Sequence, residues 1–358
     1  MKQLKKVLVI LFASVLLVAC GANNAKTDGS SGSGKTYNVG VAIYRFDDNF
    51  MTLYRQELEK YFGELGAKDG NTYKLDIQDG KQDQSTQTEQ INNFIAQGKD
   101  VIIANLVDPT AAASVINAAK AKEIPVVLIN REPTPQDLEI WPGKTTYVGA
   151  DATQSGTIQG EMIAGLPNKG DINGDGKISY ITLMGDPANV DAQQRTEYSI
   201  KGYEAKGGTV NLLAQPYQAN WDSAKGQEFT ASALEQFGKD LEVIFANNDG
   251  MAVGAVTAIN AAGRKVGEDI YIVGVDAIPD ALELLKNGQL TGTVLNDHFN
   301  QSHTAADVAV ELMQGKDIEA YYWHDYVGVT KPEDAELKRV DARKETIAEI
   351  KVRYAERG

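Results

Sequence analysis

The sequence predicts an α/β protein built as two doubly wound parallel-sheet lobes, and three observations carry that prediction. From Tyr37 onward, short β-rich runs alternate with amphipathic helical stretches, the order that lays helices on the faces of a parallel sheet. Most of the runs are nearly continuous Val, Ile and Leu, which suits strands covered on both sides. There are also too many runs for one comfortable sheet of this kind, so two sheets of about five or six strands each are expected.

Taken in order, residues 37–44 read as the first strand, 49–65 as a helix and 73–78 as the second strand. Further strands are expected at 101–104, 125–129, 178–184, 209–214, 242–246, 270–275 and 290–295.

The N-terminus has a different character. Lys2, Lys5 and Lys6 precede an apolar run, 7–19, that is too short to span a bilayer as a mature helix and reads as an export signal. It ends in Leu17-Val18-Ala19-Cys20, and Cys20 is the sole cysteine. The spacing resembles a bacterial lipobox, so residues 1–20 are expected to be a lipoprotein signal peptide with Cys20 lipidated. A buried structural cysteine is the alternative, disfavoured because the residue lies just beyond the apolar run. Residues 21–36, rich in Gly, Ser, Asn and Ala, cannot bury enough apolar surface to fold and read as a flexible tether. Stable attachment would take more than one acyl chain. The expected location is the outer face of the cytoplasmic membrane or the periplasm. No later segment is apolar enough to span.

Acidic residues outnumber basic ones 49 to 35, a formal charge of −14. Nucleic-acid binding needs concentrated Lys and Arg to displace counterions, so the balance excludes it as a main function. A neutral ligand suits this composition better.

In doubly wound sheets ligands sit beyond the carboxyl ends of the strands, so the residues that follow each apolar run are the candidates. They read Tyr44-Arg45-Phe46-Asp47-Asp48-Asn49-Phe50, Asn105-Leu106-Val107-Asp108-Pro109 and Asn130-Arg131-Glu132-Pro133. Then come Gly185-Asp186-Pro187 leading to Asp191 and Arg195, Asn247-Asn248-Asp249, Asp276, and Asn296-Asp297. Some of these are expected to cap the next helix, Asp249 and Asp297 especially. The remainder form the set a polyol requires, because a hydroxyl both donates and accepts and each buried polar group needs a partner. Phe50 and Trp221 are placed to cover the C–H faces of a pyranose ring, although either alone is more often a core residue.

Asp171-Ile172-Asn173-Gly174-Asp175-Gly176-Lys177-Ile178-Ser179 matches the opening of a calcium loop, with side-chain oxygens at its first, third and fifth positions and Gly at the sixth. Position twelve is Thr182, so the missing carboxylate must come from elsewhere in the chain. A metal-free Asp/Gly turn is the alternative.

These blocks, with Gly292-Thr293-Val294-Leu295, make the sequence similar to bacterial galactose/glucose-binding proteins from Tyr37 to about Val329. The resemblance implies that Asp48, Asn130, Asn189, Asp191, Arg195, Asn248, Asp276 and Asn296 bind the sugar, with Phe50 and Trp221 stacked on its ring. It implies a structural Ca2+ held by Asp171, Asn173, Asp175, Lys177, Ser179 and the distant Glu242. Asn105 is given a structural role. Two departures stand out: Asn189 occupies a position where the family commonly has histidine, and Ser179 one where it often has glutamine. The resemblance further implies lobes of 37–150 with 297–325 and of 151–296 with 326–358, joined by a three-segment hinge near Ala150, Asn296 and Asp325. Sugar in the interlobe cleft would close the hinge for recognition by an ABC importer permease. The expected form is a monomer.

Two other functions bear comparison with this one. A sugar sensor reporting to a chemoreceptor or a sensor kinase would use the same site. An extracellular carbohydrate-acting enzyme would need an acid and base pair, and none is singled out. His298, His303 and His324 have no evident metal-ligand partners, and there is no Gly-x-Ser-x-Gly elbow. Asp191 and Arg195, four apart, would make an ordinary helical ion pair. A repressor of similar shape lacks support, since no DNA-binding headpiece precedes Tyr37.

Overall fold

The computed structural model describes residues 34–333 and 342–357. The expected signal peptide, Cys20 and the expected tether up to Ser33 lie outside the described residues. Among the described residues no helix is long and apolar enough to cross a membrane.

The first lobe opens with β1 (Thr36–Ile43), α1 (Asn49–Asp69), β2 (Thr72–Asp79), α2 (Gln84–Ala96) and β3 (Val101–Ala104). It continues through α3 (Ala112–Lys120), β4 (Val126–Ile129), the short α4 (Pro135–Leu138) and β5 (Thr145–Gly149). These strands pair in parallel, with β2 on one side of β1 and β3, β4 and β5 following on the other. The reversal at β1 creates a crevice at the strands' carboxyl ends. The strands bury both faces. Val39, Val41 and Ile43 pack with Met51, Tyr54 and Leu58 of α1, while Ala42, Ile102 and Leu128 pack on the opposite side with Phe94 and Ile116. Full burial of such side chains is worth about 1.5–3 kcal/mol each, which explains why the runs show little polar alternation.

The second lobe comprises α5 (Ala152–Ala164), β6 (Ile178–Met184), α6 (Val190–Ala205), β7 (Val210–Leu212), β8 (Tyr217–Gln218) and α7 (Ser223–Phe237). It continues with β9 (Val243–Ala246), α8 (Asp249–Ala261), β10 (Tyr271–Val273), α9 (Pro279–Lys286) and β11 (Thr293–Leu295). Its five-stranded sheet runs β10-β9-β6-β7, with β8 also on β6. The strand expected at 209–214 is the shorter β7, and β8 follows it as a separate two-residue piece. The run 290–295 does not join the sheet as a ladder: β11 pairs antiparallel with β13 (Val327–Val329) and touches the sheet through single bridges, Val273 to Gly292 and Asp276 to Leu295.

The chain crosses between lobes three times: from β5 to α5, from β11 back to α10 (His298–Met313), and from β12 (Tyr321–Trp323) to β13. Helix α10 packs against α1, and β12 extends the first sheet parallel to β5. The C-terminal segment departs from expectation. Residues 326–358 are expected in the second lobe, but β14 (Arg343–Glu345) pairs antiparallel with β12 at the edge of the first sheet. Helix α11 (Ile347–Arg357) then buries Ile350 in the first lobe's core, and Lys351 pairs with Glu139 at 2.5 Å. An uncovered β12 edge would leave a row of backbone N–H and C=O groups without sheet partners, which a short antiparallel strand satisfies.

Candidate functional site

The carboxyl ends of both sheets face one another across a narrow cleft. Tyr44, Asp48, Phe50, Met51, Asn130 and Arg131 line it from the first lobe. Asn189, Asp191, Arg195, Trp221, Asn248 and Asp276 line it from the second, and Asn296 sits at the crossover. All the cleft residues expected from the sequence are thus brought to one wall or the other. Tyr44, Met51 and Arg131 add to the set expected from the sequence, and Tyr44 and Arg131 follow the same strand ends as Asp48 and Asn130.

Local chemistry fixes the polarity that each side chain presents. Asp48 caps α1 by accepting from the Met51 N–H (2.7 Å), and its other oxygen accepts from the Tyr44 hydroxyl (2.7 Å). Asn189 caps α6 through Oδ1, which accepts from the Asp191 N–H (2.7 Å), and Asn248 caps α8 in the same way from Met251 (3.0 Å). Asn130, held at φ 62°, accepts at Oδ1 from Asn105 Nδ2 (3.0 Å). Each of these three amides has its oxygen committed, which leaves its N–H2 as the group free to meet a ligand. The cleft therefore opposes amide and guanidinium donors to the carboxylates of Asp48, Asp191 and Asp276. Asn105 itself, fully buried, accepts from the Tyr44 N–H (3.3 Å) and donates to the Ile129 carbonyl (3.3 Å), tying three strand ends together. Helix capping was expected of Asp249 and Asp297. Asp297 does cap α10, by accepting from Asn300 N–H (3.1 Å), but the cap of α8 is Asn248. Asp249 is instead fully buried, where it accepts from the Thr293 hydroxyl (2.7 Å) and the Ile278 N–H (3.1 Å).

Arg195 is 3% exposed. Its Nη1 donates to the Asn247 carbonyl and its Nη2 to the Tyr326 hydroxyl, both at 2.8 Å. Asp191 is a looser partner, 4.0 Å away. The guanidinium lies 5.7 Å from the ring centroids of both Trp221 and Tyr326. Arg195 Nε and Trp221 Nε1 are buried N–H groups with no acceptor among the described residues, an arrangement that is costly unless something else in the cleft accepts from them. Trp221 follows Asn220 on a turn in which both have positive φ, 65° and 53°. Its indole occupies the space over Gly185, where a Cβ would come within 2.2 Å of the ring. Phe50, from the opposite lobe, meets His298 edge-on with centroids 6.3 Å apart. Arg131 lies over the Tyr44 ring at 4.0 Å and donates to the Val107 carbonyl.

Burial dominates the titration of this cleft. It pushes the Asp276 carboxyl up to about 7, with Arg195 opposing and Asp48 and Asp191 adding to the rise. Burial, then the neighbouring Asp276, holds Asp249 well above the usual carboxylate range. Burial alone would weaken the Arg195 proton, but Tyr326, Asp276 and Asp191 more than compensate and hold it more firmly than usual.

The 171–179 loop lies away from the cleft. Asp171 accepts from the Gly174 (2.7 Å) and Gly176 (2.8 Å) N–H groups, and Asn173 and Asp175 each accept from the amide two residues on. Glu242, 1% exposed, reaches this loop from the sheet: Oε1 accepts from Ile172 (2.7 Å) and Asn173 (2.9 Å), and Oε2 from Ser179 (2.8 Å). The donor types, all oxygen, suit a hard cation. In this arrangement the Glu242 carboxylate is turned onto backbone amides, and among the described residues no three acidic, His or Cys side chains are grouped to hold a metal. Ser179 Oγ accepts from Asn211 (3.0 Å).

Comparisons with known proteins agree with this architecture. The family described as periplasmic binding protein domain matches residues 39–317. A D-galactose/methyl-galactoside binding periplasmic protein, MglB, of Haemophilus influenzae is 39% identical over 307 residues, covering 82% of this chain and 89% of that protein. A putative rhizopine-binding protein of Rhizobium meliloti is 33% identical over 302 residues, 84% of this chain and 92% of that one. The solved structure of an ABC transporter solute binding protein from Bacillus halodurans C-125, with bound myo-inositol, matches with a TM-score of 0.72 at 29% identity, covering 86% of this chain and 98% of that one. With most of both lobes inside the matched region, this chain belongs to the periplasmic binding protein domain family, whose members here are solute-binding proteins and not enzymes.

Proposed function

We propose that the protein captures a neutral monosaccharide, D-galactose or D-glucose, between its lobes and presents it to an ABC importer outside the cytoplasmic membrane. The observation that carries this reading is the lining of the cleft: three carboxylates face committed amides and two guanidinium groups, with Phe50 and Trp221 contributed by opposite lobes. Such a lining satisfies hydroxyls that donate and accept at once, and a charged ligand would meet both signs. The galactoside-binding relative supports the choice of hexose. Because Asn189 caps α6 through its oxygen, it offers the sugar a donor.

Lipidation of Cys20 would keep the receptor beside its permease, and closure of the lobes would mark the loaded form. We assign the 171–179 loop and Glu242 as a structural Ca2+ site, with Asp171, Asn173, Asp175, the Lys177 carbonyl, Ser179 and Glu242 as the holding groups. The ion would supply fixed positive charge to a loop rich in carboxylates.

Calorimetric titration of the tether-less protein with D-galactose, D-glucose, myo-inositol and ribose, with and without Ca2+, tests the reading. Tight one-to-one binding of a hexose supports it. Preference for myo-inositol or ribose would overturn the hexose assignment, and binding of none would overturn the monosaccharide class.

A further inference from the structure

Tyr326 lies on the third crossover, one residue before β13 and 131 positions from Arg195. Its ring packs in a small apolar cluster with Ala150, Val275 and Val294. Ala150 belongs to the first crossover, and Val294 lies in β11, which leads into the second. The phenol therefore stands where the three connections between the lobes converge. Its backbone N–H donates to Gln154 Oε1 at 2.7 Å, which fixes the crossover to α5. Its hydroxyl accepts from Arg195 Nη2 at 2.8 Å, while Nη1 is held by the Asn247 carbonyl.

We infer that Tyr326 is a positioning residue that locks the Arg195 guanidinium to the hinge, so that a ligand engaging Arg195 acts directly on the segment about which the lobes turn. A guanidinium is a rigid planar fork, so holding both Nη atoms fixes its plane and leaves Nε as a nitrogen whose N–H has no acceptor among the described residues. The two anchors differ in kind. Asn247 directly follows β9 of the second lobe, whereas Tyr326 belongs to the connection itself. Removing the hydroxyl frees one end of the fork and separates recognition from the hinge, without disturbing the apolar cluster.

This inference rests on the monosaccharide reading of the cleft, and its test uses Tyr326→Phe, which keeps the ring. In titrations with the sugar that the wild type binds, Tyr326→Phe is expected to weaken affinity about tenfold or more, the loss typical of a hydrogen bond to a charged group. Arg195→Met should weaken it further, and Tyr326→Phe added to Arg195→Met should cost nothing more, because the hydroxyl acts through the guanidinium. A second measurement needs no ligand. In arginine side-chain NMR, the signal that disappears in Arg195→Lys should show restricted rotation of the guanidinium in the wild type and free rotation in Tyr326→Phe. Unchanged affinity in Tyr326→Phe, losses that simply add in the double variant, or an Arg195 signal indifferent to Tyr326→Phe would each overturn the inference. A wild type that binds no monosaccharide would instead count against the functional reading, while the NMR comparison would still decide the role of Tyr326.

Discussion

Asn296 donates its side-chain N–H to Asp276 Oδ1 at 3.2 Å, joining the second crossover to a turn in which Asp276 and Ala277 both have positive φ, 121° and 53°. The carboxylate is thus held in place before any ligand arrives, in a site whose burial raises its proton affinity to about 7. Arg195, Asp48, Asp191 and the deeper Asp249 are the charged groups around it. A sugar hydroxyl donates more strongly to the ionised Asp276 carboxylate than to the neutral acid, so affinity is expected to fall as pH drops below about 7. Titrations across this range, with Asp276→Asn as the variant that should lose the pH dependence, check this.

The same shift has a consequence for stability with the opposite sign. The folded protein holds the Asp276 proton up to about 7, whereas the unfolded chain releases it near the ordinary carboxylate value of 3.8. The unfolded state therefore binds fewer protons in that interval, and this group's contribution to stability declines as pH rises from about 4 to about 7. Asp249, raised in the same direction, adds to the decline. Ligand-free melting of Asp276→Asn should show a smaller decline than the wild type, and an unaltered profile would remove Asp276 as its source.

Asn248 has two duties that substitutions can separate. Asn248→Ala should lose the α8 cap, at about 1 kcal/mol, as well as tenfold or more in sugar affinity. Asn248→Asp keeps a capping oxygen but removes the amide donor, so chemical denaturation should show near-native stability while titration shows weak binding. If Asn248→Asp binds as tightly as the wild type, the amide is not a sugar donor. Ala replacements at Asp48 and Asp191 are expected to weaken binding to a similar degree.

Glu242 accepts from three backbone amides, those of Ile172, Asn173 and Ser179, all within the 171–179 loop. Glu242→Ala leaves these donors without their partner and is expected to lower the melting temperature even in chelator, by the equivalent of about 1–3 kcal/mol or more. It should also abolish the rise in melting temperature that Ca2+ gives the wild type, while leaving sugar affinity within about twofold. A wild type that melts identically with Ca2+ and with chelator would dismiss the metal assignment.

Ile350 is fully buried against the first lobe through a segment that lies beyond the matched family region. Ile350→Ala is expected to cost about 2–5 kcal/mol in denaturant unfolding, because it opens a cavity under the sheet edge. Sugar affinity should be unaffected, since the residue is remote from the cleft lining.

By itself the sequence determined the alternation of strands and helices, the two sheets and the polar residues at their carboxyl ends. These are local properties: an unbroken Val41, Ile43 or Ile244 run records burial on both faces, and an Asp or Asn after it records a helix start or a cleft. The Asp48 and Asn248 blocks were legible for that reason. Tertiary structure alone decided which end of the Asn130 amide faces the cleft, because its oxygen is taken by Asn105 from the neighbouring strand end. It also decided that Asp249 turns inward to Thr293, that 342–357 covers the edge of the first sheet, and that Tyr326 meets Arg195. Each of these is a hydrogen bond or pairing between residues far apart in the chain, whose partners leave no local period or motif. They form because a buried donor, acceptor or strand edge must be satisfied by whatever the packed lobes bring beside it.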